Sequence, residues 1–456
     1  MDTVFSSAAD LAGAIRAGRA SAVEVLEAHL AQIERHNPAL NAVVTLDAGR
    51  AHERARAADA ALARGEVWGP LHGVPFTLKD AHATAGVRTT TGFPPLAGQV
   101  PREDGTVAAR LKAAGAILVG KTNVATMLGD YQTANPIFGR TNNPWDMSCT
   151  PGGSSGGAAA ALAAGLTPLD IGTDLSGSIR LPAHFCGVFG LKPTERRVSL
   201  DGLIPGLPPP RGVRVMSCVG PLARTPEDLA LLYRLIAGPD GRDTEVPPVP
   251  LDDAPEVALR DLRIAVVPTF PGIPAAAAIR DAVAALARAL ERAGAAVEAA
   301  APPALDYHEE LRSAGELIGM MVGAAQADEG AAPTTLAQYL TALDRRDQSI
   351  LAWERFLEAW DVLLCPPSMS TAFPHCEPGT PLRVDGRDVD YWMVCAHATL
   401  FNYTGHPALA MPYTQNNDGL PIGVQLVGKR WDEARLLAVA AALSGVAGGF
   451  RRPPGY

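Results

Sequence analysis

Two glycine-serine clusters, with one alanine-rich stretch and one short apolar run between them, constrain this chain more than any other feature. The first is Thr150-Pro151-Gly152-Gly153-Ser154-Ser155-Gly156-Gly157. It runs directly into Ala158 to Ala164, which reads as a helix, and then into Leu169 to Gly172, which reads as a short strand. The second cluster follows at once: Gly172-Thr173-Asp174-Leu175-Ser176-Gly177-Ser178-Ile179-Arg180. Clustered glycines permit positive φ and close backbone approach, and a helix start offers N–H groups without partners. A flexible linker has similar composition, but a linker does not normally enter a run of helix formers behind a proline stop.

Two chemistries compete with the linker reading of the first cluster. A phosphate loop needs a lysine after its last glycine, and none follows here. A nucleophile elbow fits Gly152-Gly153-Ser154-Ser155-Gly156 by pattern, but Asp146 to Pro151 before it is polar and broken by proline, not a buried strand. That reading also needs a downstream histidine, and His308, His375, His397 and His406 have no distinctive context. The second cluster changes the balance. One turn there would present Ser178 beside several consecutive backbone N–H groups, as a developing oxyanion requires. Taken alone, it also fits an ordinary strand-end turn with Asp174 and Arg180 paired.

Around these clusters the chain reads as α/β. Ser21 to Glu24 is a capping box, and Val25, Leu26, His29, Leu30 and Ile33 follow at helical spacing, with His36-Asn37-Pro38 as the expected stop. A second helix is expected from Ala51 to Arg64. Apolar strands at Val74–Leu78, Ala116–Val119, Val188–Leu191, Leu262–Val267, Asp361–Cys365 and Ile422–Val427 alternate with helices such as Ala275–Ala293 and Asp432–Ala442. The Pro/Asp-rich stretch 239–255 is the best linker, yet the later strands are expected to complete the first sheet. The expected division is a helical segment 1–65, a core 66–238 with the chemistry, and 239–456 as the rest of the same domain, with a variable substrate-lining part at 270–400.

A net charge of −9 argues against a broad basic surface, and so against nucleic acid or an anionic membrane as partner. No run approaches the length of a membrane span and no signal peptide opens the chain, which makes the cytoplasm the expected compartment. Six cysteines without CxxC spacing are expected to be reduced, and they give no metal motif.

The clusters, with Phe185 to Thr194 behind them, resemble the amidase signature family. Gly73-Val74-Pro75-Phe76-Thr77-Leu78-Lys79-Asp80 is similar to that family's lysine strand, and Gly120 to Asn123, Phe138-Gly139, Asn142 to Pro144, Gly220 to Thr225 and Leu420 to Gln425 fit in order. The resemblance implies a single α/β domain with a central twisted mixed sheet flanked by helices. It also implies a Ser-Ser-Lys trio: Ser178 as nucleophile, Ser154 as bridge after a cis Gly153–Ser154 peptide, and Lys79 as base. The N–H groups of Leu175, Ser176, Gly177 and Ser178 would form the oxyanion hole, braced by Asp174 and Arg180. The chemistry is coherent in itself. A serine hydroxyl needs a base within reach, and lysine serves only when burial lowers its pKa from ~10.4 towards ~7–8.

Two departures bear on specificity. Ser176 stands where many relatives have the first of two glycines, and Met127 to Tyr131 lacks an acid near its start. Leu128, Gly129, Tyr131, Phe401 and Tyr403 are expected to line the substrate cleft, and the loop 205–214, with Arg211 and Arg214, to overhang it. An apolar lining suggests hydrolysis of hydrophobic or aryl amides, carbamates (urethanes) or esters by a monomer or homodimer, with no metal or organic cofactor. Two alternatives stand beside it: the glutamine amidohydrolase subunit of a tRNA-dependent amidotransferase, and a non-catalytic scaffold.

Overall fold

The computed structural model of the chain describes residues 2–205, 214–325 and 334–456. The capping box at Ser21 forms in full: Glu24 N–H donates to Ser21 Oγ at 3.0 Å, and Ser21 N–H donates to Glu24 Oε2 at 2.7 Å. The helix it opens, Ala22–Leu40, does not stop at Pro38 as expected. Proline in the last turn forfeits one backbone bond, and the neighbouring asparagines provide the real end. Asn41 takes left-handed φ (53°) and returns its N–H to Asn37 O at 2.7 Å, while Asn37 Oδ1 accepts from the N–H groups of Ala42 and Val43. The second helix, Ala48–Ala63, ends just before Gly65 with φ 79°.

Two sheets carry the framework. A three-stranded sheet joins Val43–Leu46 (β1), Pro75–Lys79 (β2) and Ile117–Thr122 (β3) in the order β1-β3-β2, with β2 and β3 parallel. An eight-stranded mixed sheet takes Leu169–Asp174 (β4), Phe189–Lys192 (β5), Cys218–Ala223 (β6), Arg263–Val266 (β7), Ala296–Ala299 (β8), Val362–Cys365 (β9), Ala408–Gln415 (β10) and Pro421–Val427 (β11). Its order is β8-β7-β9-β11-β10-β5-β6-β4. The late strand β10 lies antiparallel on β5, with Ala408 opposite Lys192 and Ala410 opposite Gly190, so the five strands after the 239–255 stretch and the three before it join at this pairing into one sheet.

Asp170 on β4 stitches the two sheets together. Its carboxylate accepts from Thr77 Oγ1 at 2.6 Å and Lys79 N–H at 3.1 Å on β2, and from Thr122 Oγ1 at 3.0 Å on β3. Every residue of β2, β3 and β4 is buried. So is every residue of the Gly156–Ala163 helix, whose small side chains let it lie inside the molecule. The six cysteines are free thiols. Among the described residues no helix is long and apolar enough to cross a membrane.

Candidate functional site

The parallel pairing of β2 on β3 aims Lys79, the last residue of β2, at the glycine-serine run. Its Nζ lies 2.8 Å from Ser154 Oγ, 2.7 Å from Ser155 Oγ and 2.7 Å from Thr173 Oγ1. Lys79 is wholly buried, and that burial pulls its pKa down to about 7, against the raising influence of Asp174 and Asp170. Near neutral pH a large part of this amine is therefore uncharged. An uncharged amine donates only two hydrogen bonds, so one of its three hydroxyl neighbours must donate to it instead. Ser155 can send its own proton to Thr173 O, at 3.4 Å.

The Gly153–Ser154 peptide is cis. Gly153 has no room for a side chain, since a Cβ there would come within 2.6 Å of Asp130 O and 2.7 Å of Tyr131 C. The second turn is held against the first by Ser155 N–H, which donates to Ser178 O at 3.2 Å. Inside that turn the Asp174 carboxylate accepts from Gly177 N–H at 2.8 Å and Ile179 N–H at 3.1 Å. Arg180 meets it with two nitrogens, Nη2 at 3.0 Å and Nε at 3.1 Å, and both side chains are fully buried. Although burial pushes the Asp174 carboxyl up, Arg180 and Lys192 outweigh it and hold the group well below the usual carboxylate range.

Of the four N–H groups expected in the oxyanion hole, that of Gly177 is thus already bound. Among the described residues, those of Leu175, Ser176 and Ser178 have no acceptor. Sequence reading missed the layer behind the turn. Asn402 Nδ2 donates to Asp174 Oδ1 at 2.9 Å, and Arg180 Nη1 donates to Gln425 Oε1 at 2.7 Å. Gln425 was visible only as the end of a terminal motif, and Asn402 had no signal.

Ser178 opens on a cavity of about 310 Å³ that Leu128, Gly129 and Tyr131 also line. Leu311, Ile318, Trp392 and Met393 complete its apolar wall. Phe401 is not part of it. That ring is fully buried 5.0 Å from Trp353 and 6.5 Å from Phe270, because its helix, Ala396–Tyr403, turns Thr399 to the cavity and Phe401 to the core behind. Tyr403 packs likewise in a small core with Val215, Met216 and Leu317. Arg211 and most of its loop lie outside the described residues, and Arg214 pairs with Asp243. None of the four histidines that an elbow would need lines the cavity. Among the described residues no cluster of His, Cys, Asp and Glu is arranged to hold a metal.

The Amidase family model matches residues 24–321 and 315–437. A glutamyl-tRNA(Gln) amidotransferase subunit from Acidothermus cellulolyticus is 35% identical over 97% of this chain and 94% of its own length. A bacterial aryl acylamidase superposes with a TM-score of 0.87 at 27% identity, covering 97% of this chain and 96% of its own. The 6-aminohexanoate cyclic dimer hydrolase does so with a TM-score of 0.84 at 29% identity over 99% of each. The first relative corrects the expectation of a monomer or homodimer with no link to nucleic acid. A protein alike over nearly its whole length is, by name, one subunit of an amidotransferase for glutamyl-tRNA(Gln). Net charge describes only the surface of the chain that carries it, and cannot speak for a complex. With the family model matching most of its length, the chain belongs to the amidase family.

Proposed function

We propose that the chain hydrolyses carboxamides through an acyl-enzyme on Ser178, with Lys79 as general base and Ser154 as proton relay. The observation that carries this reading is the wholly buried Lys79 amine, 2.8 Å from Ser154 Oγ and lowered to about 7. Neutral Lys79 takes the Ser154 proton as Ser154 takes that of Ser178, and Ser178 Oγ adds to the carbonyl carbon. The oxyanion formed is met by the free N–H groups of the 175–178 turn. The proton then returns through Ser154 to the nitrogen, the C–N bond breaks, and ammonia or an amine leaves. Water, deprotonated by the same relay, releases the acid and restores Ser178.

The amidotransferase relatives support glutamine as the amide, with a protein partner and a tRNA-linked acceptor for the nitrogen. A second reading rests on the cavity itself. Half of its described lining is Leu, Ile, Met and aromatic, Asp130 is the one charged side chain there, and no lysine or arginine stands ready for a free α-carboxylate. That wall favours an apolar or aryl amide or carbamate. One panel separates the two: glutamine, aryl anilides and aryl carbamates, each with the parent and with Ser178→Ala. Ammonia from glutamine, together with a second chain co-purifying from the native host, supports the first reading. Anilide or carbamate turnover without glutaminase activity supports the second. If the parent cleaves nothing and fluorophosphonates leave Ser178 unlabelled, both are wrong.

A further inference from the structure

The two residues before Ser178 are not equivalent. Gly177 has φ 97°, and a Cβ there would lie 2.8 Å from Cys395 Sγ and 3.1 Å from Ala398, so both backbone and space demand glycine. Ser176 has no such φ, and its side chain is engaged. Its Oγ lies 3.0 Å from the Tyr131 hydroxyl and 2.7 Å from Thr399 Oγ1, and Thr399 donates onward to Cys395 O at 3.0 Å. A carbonyl oxygen can only accept, which sets the direction of the chain. Thr399 donates to Cys395, Ser176 donates to Thr399, and Tyr131 donates to Ser176. Burial pushes the Tyr131 phenol up, so it keeps the proton this chain requires.

All three hydroxyl-bearing residues line the cavity beside Ser178, on three separate segments. The Tyr131 ring is further packed by Tyr391, with centroids 6.2 Å apart, and by Trp392, at 6.1 Å. We propose that Ser176 is a specificity-determining residue: its hydroxyl ties Tyr131 to Thr399 across the nucleophile turn and so limits the width of the acyl site. A glycine at 176 would take this partner from both hydroxyls and leave Tyr131 held only by its contact with Thr399 and its ring packing. The inference rests on Ser178 being the nucleophile of the reading above. It adds that this chain selects slim acyl groups and excludes branched or aryl ones beside the turn.

The test measures Ser178 labelling rates with an ethyl, an isobutyl and a phenyl fluorophosphonate, which does not depend on finding the natural amide. The readout is the ratio of the bulky to the ethyl rate. Ser176→Ala keeps the backbone N–H and is expected to raise that ratio roughly tenfold or more, in line with what one methylene is worth in an apolar pocket. Thr399→Val, which breaks the same chain from the other side, should raise it in the same direction. Unchanged ratios in both soluble variants, or an equal fall for all three probes, would overturn the inference while leaving the nucleophile assignment intact. No labelling of Ser178 in the parent would overturn both.

Discussion

Lys79 is where burial turns an ordinary side chain into a candidate base. With its pKa at about 7, the neutral form dominates above that pH and the ammonium below it. Turnover of an amide should therefore rise with pH through a limb near 7, read as kcat/KM between pH 5 and 9. Asp170 raises the Lys79 pKa by its charge, so Asp170→Asn should move the limb to lower pH; an unmoved limb would assign it to another group. Lys79→Met should cost about 10²–10⁴ in amide turnover and less for an aryl ester, whose leaving group needs no proton. Lys79, Ser154 and Ser178 were singled out in the sequence through motifs that resemble the family's, since Lys79 read alone is an ordinary lysine. Asp170 was not. Its role exists only where two separate sheets meet edge to edge, and no spacing along the chain encodes that meeting.

At the scale of the element, the turn 174–180 is held by one buried carboxylate that gathers three backbone N–H groups and the side chains of Arg180 and Asn402. Asp174→Ala would leave the Arg180 guanidinium buried without its charge partner, at a cost of about 3–5 kcal/mol. Urea unfolding at pH 7 should show this as a lower midpoint. Since the folded-state pKa of Asp174 is depressed, its stabilisation is present above the unfolded value of ~3.9 and is lost as pH falls further. The gap between parent and variant should hold from pH 7 to 5 and narrow in more acid solution. The Ala22–Leu40 and Ala277–Arg292 helices were readable by period and the buried strands by their apolar runs, whereas the helices Tyr307–Ala325 and Leu336–Leu357 and the strand Ala408–Gln415 were not read. The end of the Ala22–Leu40 helix was not read either, since Pro38 is the louder signal and the Asn37 and Asn41 cap the quieter one. Phe401 failed for a related reason: an aromatic beside the site faces either cavity or core, and only the packing of its helix on Trp353 and Phe270 decides which.

Across the whole molecule, the two sides of the 239–255 stretch share one continuous sheet. The three strands before it (β4, β6 and β5) join the five after it at the pairing of β5 on β10, so each half on its own would leave that edge unpaired. The last helix, Glu433–Ala447, is anchored in the first half by a single buried carboxylate: Thr194 N–H donates to Glu433 Oε1 at 2.7 Å and the Tyr233 hydroxyl to Oε2 at 2.8 Å. The chain ends meet as well, with Arg452 Nη1 donating to Asp2 at 2.9 Å and the rings of Phe5 and Phe450 6.3 Å apart. Such an arrangement predicts one cooperative unit. Calorimetry of the intact chain should give a single transition whose van't Hoff and calorimetric enthalpies agree. A protease cut within 239–255 should leave the pieces associated, because the severed backbone carries none of the sheet pairing. Residues 1–238 expressed alone should fail to fold, since β5 would lack β10 and the Asp174–Arg180 pair would lack Asn402 and Gln425. A soluble 1–238 fragment with its own sharp unfolding transition would show that the two halves are separate domains after all, and that the shared sheet is a consequence of their docking.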